Sequence, residues 1–270
     1  MTTTTGLRVG LAGLGGVGEA VGKALLAGIP GLSLAAIAVR DEARARGLLP
    51  GYAGAFVPPA ALAETCDVVV EGLPPALFRE VAVPTLEAGR IFMPLSVGQL
   101  LANWDLVALA ADRGARILVP TGALLGLDAV RAAAEGEIAS VAMVTRKPPA
   151  GLAGAPYVVE NGIALEGLTE PLKIFSGTVR EGVPGFPANL NVAAALSLAG
   201  IGPDRTTLEV WADPTVTRNT HTISVEADSA RFTMTIENVP TQTNPRTGRI
   251  TALSTIAALR GLVSPLRIGT

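Results

Sequence analysis

Leu7-Arg8-Val9-Gly10-Leu11-Ala12-Gly13-Leu14-Gly15-Gly16-Val17-Gly18 is an apolar run that breaks into glycines and then continues as Glu19-Ala20-Val21-Gly22-Lys23-Ala24-Leu25-Leu26. The first six residues read as a strand and Val17 to Leu26 as a helix, so the G-x-G-x-x-G pattern falls between strand and helix. That context lifts it above chance. Gly13 permits a tight turn, Gly15 lets backbone approach a pyrophosphate, and Gly18 allows helix and strand to pack closely, while Gly16 and Val17 open a helix whose N–H groups and positive dipole end face the anion. The stretch predicts a dinucleotide-binding domain.

Further strand-like runs follow at Leu32 to Val39, Asp67 to Glu71, Arg90 to Leu95 and Ala115 to Val119, with a helical stretch at Pro75 to Ala88. Nearly continuous apolar strands separated by helices imply a parallel sheet covered on both faces, a doubly wound Rossmann-type α/β fold. An acidic residue commonly meets the ribose 2′-hydroxyl of NAD at the end of the second strand. Here the chain reads Ala38-Val39-Arg40-Asp41. Arg40 could stack on adenine or pair with a 2′-phosphate and Asp41 could serve the ribose diol, so NADP is expected to be accepted and NAD stays open.

Beyond Pro120 the texture changes. Strand-like runs at Ile138 to Arg146, Leu172 to Val179, Thr207 to Trp211, Thr220 to Ala227 and Arg231 to Val239 are longer, and some follow one another directly. Helices are expected near Gly126 to Ala134 and Ala188 to Leu198. This is the pattern of an α+β second domain with a mixed or antiparallel sheet. The expected division is a dinucleotide domain over 1–119, completed by a C-terminal helix within 246–270, and a catalytic, substrate and dimerisation domain over 120–245.

The composition fits two aliphatic cores: the 270 residues are 49% hydrophobic, 16% charged and 4% aromatic, with a net charge of −2. No basic block points to nucleic acid, and no apolar stretch is long enough to span a membrane. The N-terminus lacks the pattern of a signal peptide, and the lone Cys66 precedes an apolar strand, so a reduced core residue in the cytoplasm is expected. One histidine and one distant cysteine make a poor metal-ligand set, and no metal is expected.

That one histidine, His221, is the first candidate for acid–base chemistry, because an ordinary imidazole titrates at about 6.5. Read as a strand, its segment puts His221, Ile223 and Val225 on one face, which equally allows a half-buried structural role. Candidate cations for an acidic substrate are Arg146, Lys147, Arg218 and Arg246, and Lys147 stands out because Pro148 and Pro149 stiffen the backbone after it. Thr121 and Asn191 could bond a carboxylate or a cofactor amide, and Asn191 could instead cap a helix.

Several segments carry a resemblance. Pro120-Thr121-Gly122-Ala123-Leu124-Leu125-Gly126-Leu127-Asp128-Ala129, Arg146-Lys147-Pro148-Pro149, Phe186-Pro187-Ala188-Asn189-Leu190-Asn191-Val192-Ala193-Ala194, Ala212-Asp213-Pro214 with Asn219-Thr220-His221, and Asn244-Pro245-Arg246-Thr247 resemble, in order, the L-aspartate dehydrogenase family. The resemblance implies a homodimeric NAD(P)-dependent oxidoreductase acting on a small dicarboxylate, interconverting L-aspartate and iminosuccinate, which hydrolyses to oxaloacetate and ammonia. Iminosuccinate is also a precursor of the nicotinamide ring, so a place in pyridine nucleotide biosynthesis is implied too. By the same match Ala123 and Asn189 are cofactor contacts and His221 is the catalytic histidine, acting as base on water attacking the imine or as acid in the reductive direction. The family loop usually reads Pro-Ser-Gly-Ala-Ile-Gly-Gly-Leu-Asp, whereas this chain has Thr121 for the serine and Leu125 for a glycine. Those departures keep two alternatives in play: reduction of a different imine or keto acid, and a catalytically silent dinucleotide-binding protein.

Overall fold

The computed structural model describes residues 6–187, 189–241 and 248–269. Six strands, β1 (Leu7–Ala12), β2 (Leu32–Ala38), β3 (Ala55–Phe56), β4 (Val68–Glu71), β5 (Ile91–Pro94) and β6 (Arg116–Ile117), form one sheet in the order β3-β2-β1-β4-β5-β6. Every pairing in it is parallel. The strand order reverses between β1 and β4, and the glycine-rich turn leaves β1 at that switch point, where α/β sheets bind ligands. Val9 and Leu11 of β1, Ile37 of β2, Val68 and Val70 of β4 and Met93 of β5 pack with Val21 and Leu25 of the helix Gly16–Leu26 in an aliphatic core. Cys66 is fully buried beside it, and its burial pushes the thiol up from its ordinary range, so it behaves as a small core residue.

Residues up to Pro120, together with Ala252–Arg267, make one compact unit, and Thr121–Thr251 make most of a second. The C-terminal helix Arg249–Val263 brings Leu259, fully buried, and Ile256, Leu262 and Val263 onto the core of the first unit.

The second unit has a mixed sheet of β7 (Ile138–Lys147), β8 (Leu172–Thr178), β9 (Thr206–Ala212), β10 (Asn219–Ala227) and β11 (Arg231–Asn238), ordered β11-β10-β7-β9-β8. β7 and β9 run parallel, and the remaining pairs are antiparallel. Period-two alternation buries one face: Val141, Met143, Thr145 and Lys147 on β7, and His221, Ile223 and Val225 on β10. Helices cover that face, with Gly182 of the helix Val179–Gly185 close against Leu208, and Gly200, which ends the helix Asn191–Ala199, close against Val141. On the other face cross-strand hydroxyl pairs run between β10 and β11, as in Thr222 with Thr235 at 3.1 Å.

Two local expectations change. Helices at Glu42–Leu48, Val97–Ala102 and Asp105–Asp112 add to those the sequence pattern picks out, each being shorter than the window over which a 3.6-residue period shows. The helix expected from Ala188 begins at Asn191: after Pro187, the Asn189 amide donates to the Phe186 carbonyl at 2.9 Å in a turn, and Ala188 itself lies outside the described residues.

Candidate active site

In the first unit the three fingerprint glycines have three different surroundings. Gly13 sits at a φ of +98°, and a Cβ there would stand 2.7 Å from the Gly72 carbonyl oxygen at the end of β4. At Gly18 a Cβ would overlap the carbonyl oxygen of Gly13. Those two glycines let the turn, β4 and the helix close on one another. Around Gly15 nothing lies within 4 Å of where a Cβ would be. No packing in this unit therefore requires Gly15 to lack a side chain, whereas a pyrophosphate lying against the backbone does. The helix Gly16–Leu26 begins without a side-chain cap, which leaves its first N–H groups to a ligand, and Val17 in that first turn packs on the core. The residues fit a dinucleotide.

Arg40 is exposed just past β2, where the sequence placed it. Asp41 has another task. Its carboxylate caps the helix Glu42–Leu48, Oδ1 accepting the Arg44 amide at 2.8 Å. Next to the glycine turn the sequence concealed a further group, Glu71, fully buried as the last residue of β4 and paired with Ala12 of β1. Its oxygens accept the Leu73 amide at 2.9 Å, the Ser96 amide at 3.2 Å and the Ser96 hydroxyl at 3.1 Å, tying together the loops that leave β4 and β5. Burial raises its carboxyl above the usual range, and these hydrogen bonds oppose that rise.

In the second unit the ladder between β7 and β10 sets Thr145 directly opposite His221. The Thr145 hydroxyl and Nδ1 of His221 are 2.7 Å apart, in a place where the threonine is fully buried and the histidine only 2% exposed. Two residues along β7, on the same face, Lys147 is buried with 3% exposure, and its Nζ donates to Oδ1 of Asn189 at 3.3 Å. Burial lowers the Lys147 ammonium from 10.5 to about 8. Burial and then the positive charge of Lys147 drive His221 down from 6.5 to about 3. The premise that His221 titrates near neutrality is thereby corrected: burial and the neighbouring ammonium disfavour its charged form, which leaves a neutral imidazole at ordinary pH. Thr145, Lys147 and His221, all buried, with the half-buried Asn189 beside Lys147, put a polar group on a largely apolar sheet face.

The other predicted cations are placed elsewhere. Arg146 points to the opposite face of β7, where its guanidinium pairs with Asp213 at 2.9 Å and lies over the Trp211 ring at 4.7 Å, so it is a structural partner and not a free substrate cation. Arg218 is exposed, and Arg246, with the rest of the Asn244 to Thr247 segment, lies outside the described residues. Thr121 is exposed at the start of its loop, Ala123 is half-buried, and Asn191 is the first residue of its helix, behind the N-cap Leu190. The carbonyl of Ala123 accepts from Nδ2 of Asn238 at 3.0 Å. Asn238 and Thr145 were missed by sequence reasoning. Strand alternation places Thr145 on the face of Lys147, but only the β7–β10 register shows that it meets His221.

A family model described as aspartate dehydrogenase, C-terminal, matches residues 128–262, and one described as homoserine dehydrogenase, NAD binding domain, matches residues 13–120. The L-aspartate dehydrogenase of Bradyrhizobium diazoefficiens is 55% identical over 271 residues, covering 100% of this chain and 96% of that protein. L-aspartate dehydrogenase 3 of Bordetella bronchiseptica is 52% identical, with both chains fully covered. Among solved structures, aspartate dehydrogenase from Thermotoga maritima shares the fold with a TM-score of 0.72 at 22% identity, over 97% of this chain and 99% of that one. GenD2 from gentamicin A biosynthesis, solved with NAD, aligns with a TM-score of 0.54 at 18% identity, over 100% of this chain and 90% of its own. With an NAD-binding domain over its first part and the C-terminal aspartate dehydrogenase model over its second, this oxidoreductase belongs to the L-aspartate dehydrogenase family.

Proposed function

We propose that the chain interconverts L-aspartate and iminosuccinate, the latter hydrolysing to oxaloacetate and ammonia, and that it uses NADP as well as NAD. The observation that carries this reading is the buried pairing of Lys147 with Asn189 beside that of His221 with Thr145, in a chain 55% identical to a protein named L-aspartate dehydrogenase. A buried ammonium whose partner among the described residues is the neutral Asn189 is costly, and a carboxylate is a ligand that offsets the cost. In this reading Lys147 grips one carboxylate of the substrate, with Asn191 and Thr121 as further polar contacts. Gly13, Gly15, Gly16, Val17, Gly18 and Arg40, with Ala123 and Asn189, hold the cofactor.

The nicotinamide, when bound, supplies the hydride acceptor for the α-carbon of aspartate. The chain's own work is to orient that carbon, exclude water and handle the proton at the reacting C–N group. His221 is the residue assigned to the proton. A neutral ring keeps one nitrogen as a donor and the other as an acceptor, and the negative charge of a bound dicarboxylate raises its affinity for a proton.

The test is oxidation of NADH and NADPH with oxaloacetate plus ammonia, run beside other keto acids. Turnover with oxaloacetate well above the rest supports the reading. Preference for another keto acid would point to Leu125 and Thr121 as having reshaped the site, and coenzyme binding without any turnover to a silent binder. If Arg40→Ala leaves the NADP to NAD preference unchanged, the assignment of Arg40 to the 2′-phosphate is wrong. The same reading carries a homodimer acting in the cytoplasm, with iminosuccinate available for building the nicotinamide ring. A monomeric mass on a calibrated column with light scattering would remove the dimer.

A further inference from the structure

We infer that Thr145 is a positioning residue that fixes the tautomer of His221, donating its hydroxyl proton to Nδ1 so that the neutral ring presents Nε2–H to the substrate. The inference rests on the assignment of His221 to the reacting group. Its observation is geometric. Thr145 is fully buried, sits directly across the ladder from His221, and its hydroxyl oxygen is 2.7 Å from Nδ1. Among the described residues Nδ1 is the one side-chain hydrogen-bond partner shown for that hydroxyl.

A hydroxyl carries one proton and two lone pairs. If Thr145 accepted from an Nδ1–H, its own buried proton would be left with no acceptor shown among the described residues, and a buried donor left unmade costs more than a spare lone pair. If Thr145 donates to Nδ1, its proton is used, Nδ1 is satisfied, and the ring proton sits on Nε2. A carboxylate or carbonyl at the Thr145 position would do the opposite, holding a proton on Nδ1 and baring Nε2 as a base. The choice of threonine therefore sets the direction of the histidine's chemistry.

The consequence is that the neutral ring meets the substrate as a donor, through Nε2–H. A neutral Nε2–H can polarise an imine nitrogen or hold a substrate carboxylate oxygen, as a neutral imidazole does elsewhere in carbonyl chemistry. Lys147, on the same sheet face, is a donor as well. Both groups ask for acceptors, which is what a dicarboxylate provides.

His221 is the only histidine in the 270 residues, so a tag-free chain grown with 15N-labelled histidine gives just two imidazole nitrogen signals, one pair for one ring. The expected result is a protonated Nε2 and an unprotonated, hydrogen-bonded Nδ1. Thr145→Val is expected to shift that pattern towards the other tautomer or a mixture, and to lower kcat by about tenfold or more with the KM for oxaloacetate much less affected. Thr145→Ser should restore both the signals and most of the turnover. If the valine variant does not fold, Thr145→Ala serves in its place. A protonated Nδ1 in the wild-type chain would overturn the inference, as would a valine or alanine variant with unchanged signals and turnover. The two failures separate: a folded His221→Ala enzyme with normal turnover removes the assignment of His221 itself, whereas an inactive His221→Ala beside a fully active Thr145→Val removes only Thr145.

Discussion

The most discriminating perturbation is Lys147→Met, which keeps the bulk of the buried side chain and deletes its charge. In the folded protein the ammonium is 3% exposed and its pKa falls from 10.5 to about 8. At 1.36 kcal/mol per pH unit, that displacement amounts to about 3 kcal/mol. The sign follows from proton counts: between about pH 8 and 10.5 the unfolded chain binds more protons at this site than the native one, so native stability rises with pH there. Below pH 8 both states are protonated and the full cost of about 3 kcal/mol is present. Tyr52 pulls the other way above pH 10, since burial raises its phenol to about 12, so the measurement must be a difference between wild type and variant. Urea unfolding from pH 7 to 10.5 should find Lys147→Met at least as stable as wild type at pH 7, with its advantage shrinking as pH rises. The same variant should lose dicarboxylate binding. In wild type at pH 9, calorimetry of succinate binding in buffers of different ionisation enthalpy should detect uptake of about one proton. Parallel curves for the two proteins, or a variant less stable at pH 7, would refute the view that Lys147 is a strained charge awaiting an anion.

Gly15→Ala should leave the melting temperature unchanged and weaken NADH binding by about tenfold or more, because its Cβ meets no protein atom but occupies the proposed pyrophosphate approach. Gly18→Ala should instead lower stability by about 1–3 kcal/mol, measured by urea unfolding, because its Cβ lands on the Gly13 carbonyl. Between pH 6.5 and about 3 the native chain binds fewer protons at His221 than the unfolded one, so stability should fall with acid there. In His221→Asn that part of the fall should be missing from the same titration. Glu71→Gln places an NH2 where an oxygen now accepts from Leu73 or Ser96, and denaturant titration should show a loss of about 2 kcal/mol together with weaker coenzyme binding.

What the sequence made legible is what is local in it. β1, the glycine turn and the helix after it are contiguous, and each glycine's task is written in its spacing, so the nucleotide half was readable residue by residue. Arg146 and Lys147 show where local reading stops. A two-residue period says that the neighbours face opposite ways, but not which one faces in. That depends on β7 lying between β10 and β9 with helices over one side. The Thr145–His221 bond joins residues 76 positions apart, and a one-residue slip of register would break it. Asp41 shows a local signal of another kind: an aspartate just before Glu42 is a helix N-cap, and its Oδ1 accepts the Arg44 backbone amide. Glu71 closes an apolar run, Val68-Val69-Val70-Glu71, and reads as a strand end reaching solvent until the loops carrying Leu73 and Ser96 are seen to enclose it.

These details bear on why a sheet face this apolar keeps an ammonium and an imidazole at all. A domain is stable by only about 5–15 kcal/mol, and the Lys147 displacement alone removes about 3 of them. A methionine would fill the space at no such cost, and among the described residues Asn189 offers Lys147 a neutral acceptor in return. The group is thus poorly explained as a device for stability. It is well explained if a carboxylate completes it: the energy withheld in the unliganded fold returns on binding, and about 3 kcal/mol corresponds to roughly a hundredfold in affinity. Because His221 feels Lys147 as a repelling charge, the same carboxylate, by neutralising Lys147, also raises the affinity of the imidazole for a proton. Substrate charge and histidine protonation are therefore one linked equilibrium. A ligand of equal size without the carboxylates should neither stabilise the fold strongly nor move the histidine signals, whereas succinate should do both.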